Sequence, residues 1–174
     1  MKVLILIILS IFSFNAHSQD QNFWVKKGDF PGLKRERTIA FSIDNKGYVG
    51  MGVDTADNVY NDLWEFDVAT NSWTQKASLP GAVRRNAIAF SIGTKGYVGT
   101  GMDSAVATNG QTLSDFWEYD AAVNLWSQKS DFPGANGTGI YFSTAFVADN
   151  KGYVCGGKIG PNNYSDELWE YKPF

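Results

Sequence analysis

Histidine is almost missing from this sequence: of 174 residues only one is a histidine, His17. It stands inside an N-terminal stretch that reads as a leader, so the chain beyond that stretch carries no imidazole. That absence removes the usual ligand of catalytic copper and zinc and the usual base of serine and cysteine nucleophiles. Cysteine is as scarce. Cys155 alone cannot form an intrachain disulfide, so no bridge framework organises the fold. Flanked by Val154 and Gly156, at a strand position otherwise held by glycine, it is expected to be a small buried thiol rather than a nucleophile. Charge is sparse too, at 19% of residues with a net balance of −3. Lysines and arginines are scattered among more numerous acids, which speaks against a nucleic-acid surface. No metal, cofactor or nucleic acid is expected.

Long apolar runs are also lacking. Val3–Phe12 follows Lys2 and stops before Ala16-His17-Ser18, the small-x-small pattern that a signal peptidase prefers. Residues 1–18 are therefore expected to be a signal peptide cut near Ser18/Gln19, with residues 19–174 as the exported chain. A bilayer span needs about 18 or more apolar residues, so membrane insertion is not expected. No cysteine follows the cut, which argues against a lipid anchor. The expected location is secreted or periplasmic.

What is abundant is glycine, with 18 residues, and aromatic side chains, at 15%. They recur in a fixed order. GYVG stands at Gly47–Gly50 and Gly96–Gly99 and returns as GYVCGG at Gly152–Gly157. A Trp-Glu-aromatic element follows at Trp64, Trp117 and Trp169, and a further tryptophan ahead of Phe/Leu-Pro-Gly stands at Trp24, Trp73 and Trp126. The spacings run from 49 to 56 residues, the period of four-stranded units stacked about an axis. Each repeat reads as four strands. The first are Thr38–Ile43, Ala87–Ile92 and Ser143–Ala148, and the second begin at Tyr48 and its copies Tyr97 and Tyr153. The third are Leu63–Phe66, Phe116–Tyr119 and Leu168–Tyr171, and the fourth carry Trp73 or Trp126. Asp44–Gly47 and its copies supply hairpin turns. Because the six tryptophans keep repeat register, they are expected to be core residues rather than a stacking platform.

These repeats resemble kelch repeats of the galactose-oxidase-like kind seen in many secreted bacterial proteins, over Phe23–Phe174. The glycine pairs Gly50/Gly52, Gly99/Gly101 and Gly156/Gly157, the Tyr48/Tyr97/Tyr153 series and the paired tryptophans carry the likeness. It implies an all-β fold of kelch-type β-propeller blades. Such scaffolds serve adaptors, carbohydrate binders and a few enzymes, so the likeness implies a frame rather than a task. A copper radical oxidase like galactose oxidase would need histidine ligands and a tyrosine crosslinked to cysteine; the lack of histidine excludes it.

The strands sum to three blades if a lone N-terminal strand, Phe23–Lys27, joins the last three. Propellers run from about 4 to 8 blades, so three cannot close a ring. The chain is expected either to form half of a six-bladed ring as a homodimer, each N-terminal strand completing the other copy's last blade, or to be a partial propeller.

In a meander the long loops gather on one face: Val53–Asn61, Met102–Ser114 and Lys158–Ser165. That face is the expected binding site. Asp54 and Asp103 match across repeats there, with Asp57 nearby, and serve calcium binding, sugar acid–base chemistry or turn capping. The third repeat has Lys158-Ile159 instead, so the carboxylate set is incomplete. Arg35 and Arg84 match as well, with Arg37 and Arg85 adjacent and Ile140 in the third repeat. Other kelch proteins often place an arginine here, which implies pairing with Asp62 or Glu65 or, alternatively, an anion clamp. Tyr60 and Tyr164, with Asn61, Asn162 and Asn163, are the loop residues expected to touch a ligand. Asn136-Gly137-Thr138 and Asn163-Tyr164-Ser165 match the glycosylation acceptor pattern.

The expected function is an exported, non-enzymatic module whose long-loop face recognises a protein or glycan, through Arg35, Arg84, Asp54, Asp103, Tyr60 and Tyr164. The alternatives are a carboxylate/arginine sugar isomerase or mutarotase of the sialic-acid type, active only in a closed ring, and an incomplete propeller without ligand.

Overall fold

The computed structural model describes residues 22–104 and 111–173. The expected signal peptide lies outside them. Alternating apolar and polar residues, with turn formers between, drive the chain into strands. In order these are β1 (Arg35–Glu36), β2 (Ile39–Ile43), β3 (Lys46–Gly50), β4 (Val53–Asp54), β5 (Leu63–Asp67) and β6 (Ser72–Lys76). The second repeat gives β7 (Ile88–Ile92), β8 (Lys95–Gly99), β9 (Phe116–Asp120) and β10 (Leu125–Lys129). The third gives β11 (Thr144–Ala148), β12 (Lys151–Cys155), β13 (Lys158–Gly160), β14 (Asn163–Tyr164) and β15 (Leu168–Tyr171). The helical element among the described residues is a short 3-10 turn, Ala135–Gly137.

The protein is all-β. Three antiparallel sheets carry the mass: β2-β3-β5-β6, then β7-β8-β9-β10, then the three-stranded β11-β12-β15. Two short ladders, β1 with β4 and β13 with β14, flank them. The second strands begin two residues earlier than expected, at Lys46 and Lys95, because the turns are only two residues long: Ile43 faces Lys46 and Ile92 faces Lys95. Asp44, Gly93 and Asp149 open these turns at φ of 51°, 56° and 50°, the left-handed region such hairpins require.

Each sheet has a forward and a rear face, fixed by the two-residue strand period. The forward face of the first sheet (Ile39, Phe41, Ile43, Tyr48 and Leu63) is buried against Val98 and Tyr119 on the rear of the second. The forward face of the second (Ile88, Phe90, Ile92, Tyr97 and Phe116) is buried against Val154, Trp169 and Tyr171 on the rear of the third. The first strands β2, β7 and β11 are neighbours in space. A tyrosine-to-glutamate hydrogen bond repeats in all three sheets: Tyr48 to Glu65, Tyr97 to Glu118 and Tyr153 to Glu170, each at 2.7 Å.

Residues 22–34 form no strand in the single chain. Two expectations are corrected. Trp24, expected in the core, is fully exposed at 102%, whereas the other five tryptophans are half-buried on the sheets. Cys155 is exposed rather than buried. It pairs across to Thr144 and Leu168 on the forward face of the third sheet, and no further sheet covers that face.

Candidate functional site

The segment leading into each first strand pairs with the start of the long loop after the second strand. β1 lies on β4, Arg85 bridges to Met102, and Tyr141 bridges to Lys158. Backbone hydrogen bonds link the repeats: the Gly52 N–H donates to Arg84 O at 2.9 Å and the Gly101 N–H to Ile140 O at 2.8 Å, and the Asn86 N–H donates to Arg37 O and the Phe142 N–H to Asn86 O, both at 3.2 Å. Arg37, Asn86 and Phe142 share a left-handed backbone, with φ of 59°, 53° and 59°. Asparagine tolerates that conformation; arginine and phenylalanine are strained in it, a condition that concentrates at functional sites.

Arg35, Asp54 and Tyr60 come together on this side. The Arg35 guanidinium ion-pairs with Asp62 at 2.6 Å, donates to Met51 O at 3.2 Å and lies 4.0 Å from the Tyr60 ring centroid. Tyr60 in turn donates its hydroxyl to Asp54 at 2.6 Å. Asp54 also accepts from the Ala56 and Asn58 N–H groups, each at 2.9 Å, and from the Asn58 amide at 3.0 Å. The Tyr60 hydroxyl first, then Asn58, holds the Asp54 carboxyl far below the usual carboxylate range. Conversely, Asp54 pushes the Tyr60 phenol up. A cavity of about 410 Å³ opens here, lined by Lys34, Arg35, Glu36, Asp54, Thr55 and Asp57.

The other expected residues are placed differently. Arg84 has no exposed side-chain surface and makes a two-pronged pair with Asp115, at 3.0 and 2.6 Å, while donating to Thr100 O. The pairing partner is thus Asp115, as Asp62 is for Arg35, and Glu65 instead accepts from Lys46 at 2.8 Å. Asp103 accepts from the Gln111 N–H at 2.8 Å and so pins the base of its loop. Tyr164 is 66% exposed on the β13–β14 hairpin, with Lys158 Nζ 5.0 Å above its ring. Asn61 is spent on the chain, donating to Leu79 O at 3.0 Å.

One residue matters more than the sequence suggested. Arg85 is only 1% exposed, yet it has no carboxylate within 4.0 Å among the described residues, whereas Arg35, Arg37 and Arg84 each have one. It donates to Ser104 O and lies 3.9 Å from Met102 Sδ. Burial first, and then Arg37, make its charge costly; Tyr141, Glu36 and Asp57 act in the opposite sense. Beside it Asn86 is 8% exposed, and its amide nitrogen has no acceptor. Among the described residues Arg85 is a buried cation without a carboxylate and Asn86 a buried amide donor without an acceptor, and each favours an anionic or oxygen-rich partner. The signal available in the sequence was the Arg84-Arg85 pair, since neighbours on an extended chain point to opposite sides.

No family model matches the chain, and no curated protein matches it. Among solved structures, that of YjhT matches with a TM-score of 0.72 and 20% sequence identity, over 85% of this chain and 52% of that one. At this identity the likeness concerns the fold alone. The chain spans about half the length of that structure.

Proposed function

We propose that this chain is an exported, non-enzymatic binding module built from kelch-type β-propeller blades, and that its long-loop face holds a protein or glycan through an acidic group. The observation that carries the reading is Arg85, buried and without a carboxylate partner among the described residues, followed in the chain by Asn86, whose buried amide has no acceptor among them. A ligand carboxylate, sulfate or phosphate would supply what both groups lack. Arg35 and Asp54, both held by Tyr60, line the cavity on this side and orient the rest of the ligand. Arg84 supports the frame from within.

Binding is favoured over catalysis because the aspartates in repeat register on this face are occupied. Asp54 accepts four hydrogen bonds and is a weak base, and Asp62 and Asp115 neutralise arginines. The isomerase or mutarotase reading would rest on Asp57, an exposed carboxylate in the lining of the same cavity.

The test is titration of the purified chain with acidic and neutral saccharides and acidic peptides, read by calorimetry. Binding of an acidic member, weakened about tenfold or more in Arg85→Gln while Asp103→Asn binds normally, supports the proposal. Equal binding of Arg85→Gln and the wild type would refute it, as would turnover of an acidic sugar.

A further inference from the structure

The first and third sheets each leave one face uncovered, and these are the two halves of a joint that the molecule already makes twice. Where the first sheet meets the second, the Phe41 ring occupies the space left by Gly96: a Cβ there would come within 2.3 Å of it. Phe90 occupies the space over Gly152 in the same way, also at 2.3 Å. The series is unsatisfied at both ends. Around Gly47, on the rear of the first sheet, nothing lies within 4 Å of where a Cβ would be. Phe146, on the forward face of the third, is 47% exposed, and Leu168, in the place of the buried Leu63 and Phe116, is 59% exposed.

The sheet edges repeat the pattern. Trp73 packs on Phe66 and Trp126 on Tyr119, each with centroids 5.0 Å apart. Each indole N–H reaches back to the connection that precedes its own repeat, Trp73 to Gly28 O at 3.4 Å and Trp126 to Ala77 O at 2.8 Å. The next ring in this series is Tyr171 and the next carbonyl that of Ser130. Between them lies a cavity of about 310 Å³, lined by Phe116, Ser130, Phe132, Val154, Trp169 and Tyr171.

One segment matches that cavity. Phe23-Trp24-Val25-Lys26-Lys27 has the register of Ser72-Trp73-Thr74-Gln75-Lys76 and of Leu125-Trp126-Ser127-Gln128-Lys129, and Trp24 alone of the six tryptophans is exposed. Lys76 reaches Glu65 at 3.5 Å and Lys129 reaches Glu118 at 3.0 Å. Lys27 has the register of Lys76 and Lys129, and the glutamate in the place of Glu65 and Glu118 is Glu170, whose cations within the chain are Lys151 at 3.3 Å and Lys172 at 3.1 Å.

We propose that two copies of this chain close on each other head to tail: residues 23–27 of each pair with β15 of the other, Trp24 fills the cavity between Ser130 and Tyr171, and Phe146 seats on Gly47. Each copy gives one forward face and one N-terminal strand and receives the same. Two joints therefore cover both open faces and give each three-stranded sheet a fourth strand in one two-fold assembly. The inference does not depend on which ligand the long-loop face takes.

Sedimentation equilibrium of the purified chain at micromolar concentration tests it, with twice the chain mass expected. Trp24→Ala should raise the dissociation constant on the order of 100-fold, as removal of a central aromatic anchor does. Lys27→Glu and Glu170→Lys should each raise it about tenfold, and the double swap should restore the dimer, which a misfolded variant could not do. A wild-type monomer would overturn the proposal, even one with Trp24 shielded from quencher, since the strand would then be closing its own chain. An assembly larger than two would overturn it, and so would a dimer indifferent to Trp24→Ala and to both charge reversals.

Discussion

The second and third sheets are written in nearly the same letters and fare differently. Phe90, Tyr97 and Phe116 are 5%, 2% and 5% exposed; at the same places Phe146 and Leu168 are 47% and 59% exposed, and Tyr153 is half-buried. Propensity and pattern are alike, so the difference comes from company: the second sheet has a neighbour on each face and the third on one. Stability in such an array is a sum over joints more than over sheets.

The largest test of that contrast is truncation of the paired phenylalanines. Phe90→Ala should cost about 3–5 kcal/mol in urea unfolding, the usual cost of emptying a packed aromatic site. Phe146→Ala, measured in the Trp24→Ala background at a concentration where that chain is monomeric, should cost well under about 1 kcal/mol. Equal losses would break the contrast.

Next comes the pair that locks the second repeat. Asp115→Asn should cost about 3 kcal/mol by leaving Arg84 buried and unpaired. Burial pushes the Asp115 carboxyl up, but the hydrogen bonds and charge of Arg84 outweigh it and leave the pKa below the ordinary value. Because the folded pKa is the lower one, its contribution is full above the unfolded value of about 4 and is lost as pH falls through the folded value. Asp115→Asn should therefore flatten the acid arm of the stability curve. An arm unchanged by the substitution would show that other groups carry it.

The glycine sockets give a smaller effect. Gly96→Ala should destabilise by about 2 kcal/mol, since its methyl group meets the Phe41 ring, while Gly47→Ala should be within about 0.5 kcal/mol of neutral in the monomer. In the dimer the second change should become costly as well. The smallest effect is a titration shift. Glu170, exposed, is held at about 2 by the Tyr153 hydroxyl first and then by Lys172 and Lys151. Salt should raise that value, as followed by NMR, and should move the sheltered Glu65 less.

Most of the frame could be read from the chain. The GYVG repeats and tryptophans located nine of the eleven long strands to within two residues and marked the other two by Trp73 and Trp126, because hairpins and alternation are local facts. The partnerships could not be read. Arg84 and Asp115 lie 31 residues apart, and only the folded chain shows that Asp115 takes the arginine and withdraws it from solvent. The same holds for Phe41 over Gly96, which turns an apparent strand glycine into a socket. Of the site, Arg35, Asp54 and Tyr60 were legible as loop residues in register. Arg85 was legible only as a neighbour, because a missing counter-charge is visible in three dimensions alone. Cys155 misled because its burial depends on a covering sheet, and no sheet among the described residues lies on that face.

The indole hydrogen bonds of Trp73 and Trp126 give the array a direction. Each one fastens to backbone made earlier in the chain, never later. Synthesis proceeds from the N-terminus, so every latch emerges to find its catch already present, and the sheets can set one after another as the ribosome delivers them.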